Sequence, residues 1–186
     1  MVTIGCLWTG VLIPITPGYA QQVITQREAL SLAVPGAAWE RRTAYLSDDD
    51  LAAIALAAGS GVEVTRPVVT YYVASIGGRD TAVAYFDVHR VRTLAEVLMV
   101  VVDPAGRVER VEILKFSEPP EYRAPAGWLV QFQGKLLDDQ LSLKGGVVAM
   151  SGASLTSRAV THAVRRVLAI HRFLEPMPPP AGEDGP

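Results

Sequence analysis

Apolar positions along the chain change their spacing twice, from short helical clusters to strand-like alternation and back to a helical stripe. Thr25 and Glu28 stand three residues apart ahead of Ala29, Leu30, Leu32 and Ala33, the spacing of a capping box, and Pro35-Gly36 stops the run. Ser47, followed by three aspartates, places a cap and negative charge at the start of Leu51 to Ala58, where the helix dipole favours both, and Gly59 ends it. These two runs predict a helical N-terminal segment over residues 21–61.

From Val62 the pattern turns to β. Val64, Val68, Val69, Tyr71, Tyr72 and Val73 are branched or aromatic, and Gly77-Gly78-Arg79-Asp80 supplies a turn before Thr81 to Phe86. A second antiparallel pair is expected from Glu96 to Val102, a turn at Asp103-Pro104-Ala105-Gly106, and Arg107 to Phe116. Trp128, Val130 and Phe132 alternate with Leu129, Gln131 and Gln133, which predicts one more strand or edge segment before Gly134-Lys135; a short apolar step follows from Gly146 to Met150. Ala159, Val160, Ala163, Val164, Val167, Ile170, His171 and Leu174 then recur at helical spacing, with Arg158, His162, Arg165 and Arg166 mostly elsewhere on the wheel. The fold class expected is α+β: a mostly antiparallel sheet packed with helices, ending in an amphipathic C-terminal helix. Residues 175–186, with five of the chain's 13 prolines, predict an extended, mobile tail.

Residues 1–20 carry no charge and end in small residues at Gly18 and Ala20, the pattern of a secretory signal peptide cut after Ala20, although it lacks the usual Lys or Arg near Met1. The expected location is extracytoplasmic, periplasmic or otherwise exported. Cys6 is the single cysteine and falls in that leader, so the chain beyond it has no thiol and no disulfide. His89, His162 and His171 lack the spacing of a metal cluster, and no metal is expected. With 17 basic and 19 acidic side chains the net charge is -2, which disfavours nucleic acid as a partner. Pro14 and Pro17 interrupt the most apolar run, which excludes a multi-span membrane protein.

Chemistry concentrates in Ser151-Gly152-Ala153-Ser154-Leu155-Thr156-Ser157, at the expected start of the terminal helix. Backbone N–H groups there lack intrahelical acceptors, and small residues let a bulky anion approach, so the segment suits a phosphate. The ordinary reading is that Ser151 or Ser154 caps the helix. Two other readings weigh less. Asp87-Val88-His89-Arg90-Val91-Arg92 fits a solvated connection between strands better than a flavin or partner contact. Ser157 and His162, on one helix and without a Gly-x-Ser-x-Gly elbow, do not make a hydrolase.

The heptad SGASLTS resembles the Ser-Gly-Ala-Thr-x-Thr-Ser signature of the FMN-binding domain family, whose members include the covalent-flavin subunits of sodium-translocating NADH:quinone reductase and of Rnf complexes. The resemblance runs from about Tyr72 to Ala169 and takes in the hairpin at Asp103 to Val108 and the Phe-x-Gly-Lys step at Phe132 to Lys135. It implies an FMN-binding domain over residues 62–174, with FMN joined through its phosphate to Thr156 and Ser154 standing where Thr is more usual. It also implies an electron carrier or redox subunit without catalytic side chains of its own. The implied partners are a flavin transferase that uses FAD and a membrane-associated electron donor or acceptor. Where many members have a Glu-Thr-Pro-Gly type of segment this chain has Ser117 to Tyr122, so the family's wall near the flavin ring does not carry over and Glu118 and Tyr122 are minor candidates only; Trp128 suits packing better than stacking on a flavin. The alternative is a sensory or interaction domain of a respiratory complex, FMN-binding or flavin-free, with no net electron transfer.

Overall fold

The computed structural model describes residues 24–177. A complete capping box opens α1 (Gln26–Ala33): the Thr25 hydroxyl accepts from the Glu28 N–H and the Glu28 carboxylate accepts from the Thr25 N–H. Ser47 and Asp50 repeat the arrangement at α2 (Asp48–Ala58), which ends on Gly59.

Between the two helices lies a strand, β1 (Ala38–Tyr45), where a helical segment was expected. Its sequence, AWERRTAY, has no apolar alternation because it is an edge strand with side chains largely in water, and pattern alone does not report such strands. β1 pairs along its whole length with β2 (Val68–Ile76), so the segment over 21–61 is built into the same sheet as the rest of the chain. β3 (Arg79–Arg90), β4 (Ala95–Val102) and β5 (Val108–Phe116) complete a five-stranded antiparallel sheet in the order β1-β2-β3-β4-β5. Gly77 and Gly78 both take positive φ, +59° and +78°, the twist that a two-residue hairpin turn needs.

Trp128 to Phe132, expected as a strand, form a short helix α3 (Ala126–Leu129) running into a 3-10 turn (Val130–Phe132). Trp128 and Phe132 then stand four apart on one face with rings 5.3 Å apart, while Val130, the middle of the supposed alternation, points to water.

Strand alternation gives the sheet two distinct faces. Val73, Val83, Tyr85, Leu98, Val100 and Val102 meet Val160, Val164, Val167 and Leu168 of α4 (Ser154–Leu174), together with α2. On the other face Ala74, Ala82, Ala84, Met99, Val101 and Leu114 pack under Ala29 and Leu30 of α1. α4 is capped by Glu175; beyond it the Pro176 carbonyl accepts from Arg42 and Met177 is buried with the core. The leader at 1–20 and the tail beyond 177 lie outside the described residues. Among the described residues no helix is long and apolar enough to cross a membrane.

Candidate functional site

The SGASLTS segment lies at the start of the longest helix, as its spacing predicts. Its N-cap is Ala153, with no side-chain cap, so neither Ser151 nor Ser154 plays the ordinary capping role. The first-turn N–H groups are therefore left without a side-chain acceptor. Gly152 has φ +77°, which only glycine adopts without strain, and a side chain placed there would meet no atom within 4 Å. Ser151, Gly152 and Ser154 are exposed, and Leu155 is 43% exposed. The segment thus presents an open, uncapped helix start, a suitable place for a phosphate.

Thr156 and Ser157 face inward. Ser157 Oγ accepts from the Met150 N–H at 2.9 Å and donates to the Ala153 carbonyl at 3.1 Å, which folds the segment onto the helix. Thr156 is 1% exposed, and its hydroxyl donates to the Tyr122 carbonyl at 2.7 Å. The Arg92 guanidinium lies 4.8 Å from the centre of the Tyr122 ring. The Glu118 carboxylate accepts the N–H groups of Arg92, Thr93 and Leu94 at 3.1, 2.7 and 2.8 Å, and the bonds from Leu94 and Thr93 hold its pKa below the ordinary value. Glu118 is therefore a clamp on the loop that carries Arg92, and Tyr122 touches the candidate hydroxyl through its backbone. Trp128 belongs to a neighbouring fastening: its indole N–H donates to the Val148 carbonyl at 2.7 Å, and Gln131 accepts the Val148 N–H, which holds the step ahead of the heptad.

A charged cluster that takes in Asp87 and His89, expected as a solvated connection, lies farther along α4. Asp87 and His89 are not a solvated connection: they sit on β3, facing α4, because the strand continues four residues beyond Phe86. Arg166 grips Asp87 with two hydrogen bonds of 2.7 Å. His89 Nδ1 lies 2.8 Å from Asp87 Oδ1, and Nε2 lies 2.8 Å from Oε2 of Glu96, its register partner on β4. Both ring nitrogens face carboxyl oxygens, so both carry protons and the ring is an imidazolium. Burial alone would lower the pKa of His89, but the bonds to Asp87 and Glu96 outweigh it and raise it to about 8. Burial would likewise raise Asp87, yet His89 and Arg166 bring it down to about 2. Glu96 is 0% exposed, and its second oxygen finds no hydrogen-bond partner among the described residues. Extending the period-2 pattern through Asp87 and His89 would have put both on the α4 face; their meeting with Glu96 and Arg166 follows only from the register.

Above this cluster runs a groove of about 570 Å³ between the chain from Gly61 to Thr70, the second half of β3 and one face of α4. Arg166 also donates to the Glu63 carbonyl at 3.0 Å, and Arg66 donates to the Val88 carbonyl at 3.2 Å, so the loop is fastened across it. His162 lines the groove without a hydrogen-bond partner among the described residues; burial, then Arg158, Arg166 and Arg165, lower its pKa.

Residues 95–169 match the family model described as an FMN-binding domain. The match covers β4, β5, Glu118, Tyr122, Trp128, the whole heptad and α4 as far as Ala169, and leaves β2, β3 and the helical N-terminal part outside. Among curated proteins none matches the chain.

Proposed function

With residues 95–169 as an FMN-binding domain for a premise, we propose that the protein is an extracytoplasmic electron carrier whose FMN is joined through its phosphate to the Thr156 hydroxyl. The observation that carries this reading is the uncapped start of α4, with Gly152 opening space in front of N–H groups and a hydroxyl at Thr156 in the same turn. A phosphate diester there keeps about one negative charge, which the helix dipole favours, and Arg158 stands two residues on. The bound flavin supplies the redox chemistry; the chain holds it, orients it and sets how far water reaches it. Attachment suits an exported protein, because no free FMN pool would refill an emptied site there.

Maturation by a flavin transferase with FAD as donor would replace the pyrophosphate bond of FAD with a bond to Thr156, releasing AMP and a proton. For this the hydroxyl has to leave the Tyr122 carbonyl. The same buried hydroxyl is the observation that favours the second reading, a domain that binds FMN without a covalent bond, or carries none, and acts as a sensor beside a respiratory complex.

Mass spectrometry after export and co-expression with a flavin transferase separates the two. The expected result is a gain of one FMN in the parent and in Thr156→Ser, and none in Thr156→Ala. An unmodified parent overturns covalent attachment. Redox titration against a membrane-associated donor then divides carrier from sensor, because a carrier exchanges electrons with that partner and a sensor does not.

A further inference from the structure

We infer that the groove between β2, β3 and α4 is a second ligand site, separate from the heptad, and that it takes a small organic carboxylate with an apolar body. No residue from Ser151 to Ser157 lines it, nor does Tyr122, so the start of α4 and the groove are distinct places on the molecule.

The groove is an opening in the sheet. β2 and β3 pair only as far as Tyr71 and Tyr85. Beyond that pair β2 runs back to Val68 on β1, while β3 runs on to Arg90 on β4, so the two strands part. In antiparallel strands the N–H and C=O of one residue turn to the same side, and the side alternates along the strand. The Val88 carbonyl accepts from Arg66 across the opening, whereas Val91, at the opposite parity, donates to Leu94 on the β4 side. Val88 and Arg90 therefore turn their N–H groups into the gap, where neither has a partner among the described residues. Backbone donors left over at such a sheet edge suit an anion.

Side chains around the opening add donors of the same sign. Arg66 spends one donor on Val88, and the side chains of Arg90 and His162 have no hydrogen-bond partner among the described residues. Of the acidic residues that line the groove, Asp87 is taken up by His89 and Arg166, and Glu63 is exposed. The charge left to meet a ligand is therefore positive, in a chain whose net charge is -2. A guanidinium fork matches a carboxylate in shape as well as in sign. Val64, Val68, Val167 and Ile170 supply apolar wall beside these donors, which calls for an apolar body on the anion. About 570 Å³ lies within the roughly 300–1,000 Å³ typical of small-molecule sites. His162 shares the groove with Glu63 and Arg66 of the loop and with Asp87, His89 and Arg90 of β3, and Arg158, Arg165 and Arg166 act on it from its own helix. A bound carboxylate offsets those cations and makes protonation of His162 easier.

Benzoate is the probe, benzyl alcohol its uncharged counterpart and inorganic phosphate an anion without an apolar body; calorimetric titration of the full-length chain reads their binding. Benzoate is expected to bind with a Kd below about 1 mM, within reach of a ligand of so few atoms. It should bind at least about tenfold more tightly than either comparison compound, and Arg66→Ala and Arg90→Ala should each weaken it about tenfold, the loss of one hydrogen bond to a charged group. Ala159→Leu fills the groove at a helical position that suits leucine and weakens binding further. Arg79→Ala removes an exposed cation at the other end of β3 and leaves binding unchanged. Far-ultraviolet circular dichroism identical to the parent shows that each variant folds. In an NMR titration His162 is expected to take up its proton at higher pH with benzoate bound than without. Flavin-loaded parent and unloaded Thr156→Ala are expected to bind benzoate alike. Absence of binding, or equal effects of Arg79→Ala and Arg90→Ala with none from Ala159→Leu, overturns the site. Benzyl alcohol or phosphate binding as tightly as benzoate overturns its chemistry, and binding lost on flavin loading overturns its separateness. A parent with no added FMN mass overturns covalent attachment alone, because Thr156→Ala already tests the groove without flavin.

Discussion

The two ends of the contact between β3 and α4 are built from the same strand and helix, yet they treat a histidine in opposite ways. At the closed end, His171 is buried with its Nδ1 3.1 Å from the Tyr85 hydroxyl, and burial, only partly offset by the charge of Asp103, lowers its pKa to about 4. Burial also raises the pKa of that Tyr85 hydroxyl. Both groups are held neutral, and one hydrogen bond satisfies the pair. At the groove end, His89 is held as a cation between two carboxyls, with Arg166 completing the set. An interface built only for stability would resemble the closed end throughout, since apolar packing replaces buried ion pairs at little or no loss. Asp87, His89 and Arg166 of the charged end line the groove, as Tyr85 does.

Breaking the charged end has the largest expected effect. Asp87→Ala removes two of the three Arg166 hydrogen bonds, leaving the one to the Glu63 carbonyl, and strips one His89 N–H of its acceptor; removal of one partner of a buried pair costs about 3–5 kcal/mol. Urea denaturation measures it. A loss below 1 kcal/mol would mean that water reaches the cluster and that the contrast between the two ends is false.

The histidines also place the stability of the protein on a pH scale. Neutral His171 takes up its proton near pH 4 in the fold but near 6.5 in the unfolded chain, so protonation favours unfolding as the pH falls. A stability loss of about 3 kcal/mol from His171 is expected between pH 6.5 and 4, and His171→Gln removes that share, leaving the smaller one from His162, whose pKa burial also lowers. Asp87 does not obscure it, because its contribution is present above about pH 3.8 and lost only as the pH falls towards 2. Equal acid limbs in parent and variant would show His171 to be solvated.

His89 gives the opposite limb. Its folded pKa of about 8 exceeds the 6.5 of the unfolded chain, so its stabilisation is complete below pH 6.5 and lost as the pH rises through 8. The expected loss is about 2 kcal/mol, absent in His89→Gln. The two limbs together put maximum stability near pH 6.5. A profile flat from pH 6.5 to 8.5 in the parent would contradict the imidazolium.

What pattern could and could not reveal divides along similar lines. The meander β2 to β5 and helix α4 are visible because their period survives in the residues: Val83 and Tyr85 alternate with Ala82 and Ala84, and Val160, Val164 and Val167 form a stripe. β1 is not visible, since an edge strand rich in charge looks like a loop. Nor is the turn at Trp128, where spacings of two and four both fit the same aromatic pair. Within the site, the heptad is legible as local composition and its place at a helix start follows. The hydrogen bond from Thr156 to Tyr122 spans 34 residues, and the meeting of His89 with Glu96 depends on strand register; neither leaves a local trace.

The closed end supplies the finest test of the contrast, because two causes could keep His171 neutral. Either burial excludes its charge, or the Tyr85 hydroxyl selects the neutral form by bonding to Nδ1. Burial is the dominant cause, which makes the hydroxyl a partner rather than a control. Tyr85→Phe keeps the ring, which stacks on Tyr71 at 5.8 Å and meets His171 edge-on at the same separation. It deletes one buried hydrogen bond, at an expected loss of about 1 kcal/mol. The acid limb is expected to persist undiminished in this variant, and NMR titration of His171 to give a pKa still well under 6.5. If His171 instead titrates at its ordinary value in Tyr85→Phe, the hydroxyl and not the packing sets its charge, and the closed end is a polar device like the open one.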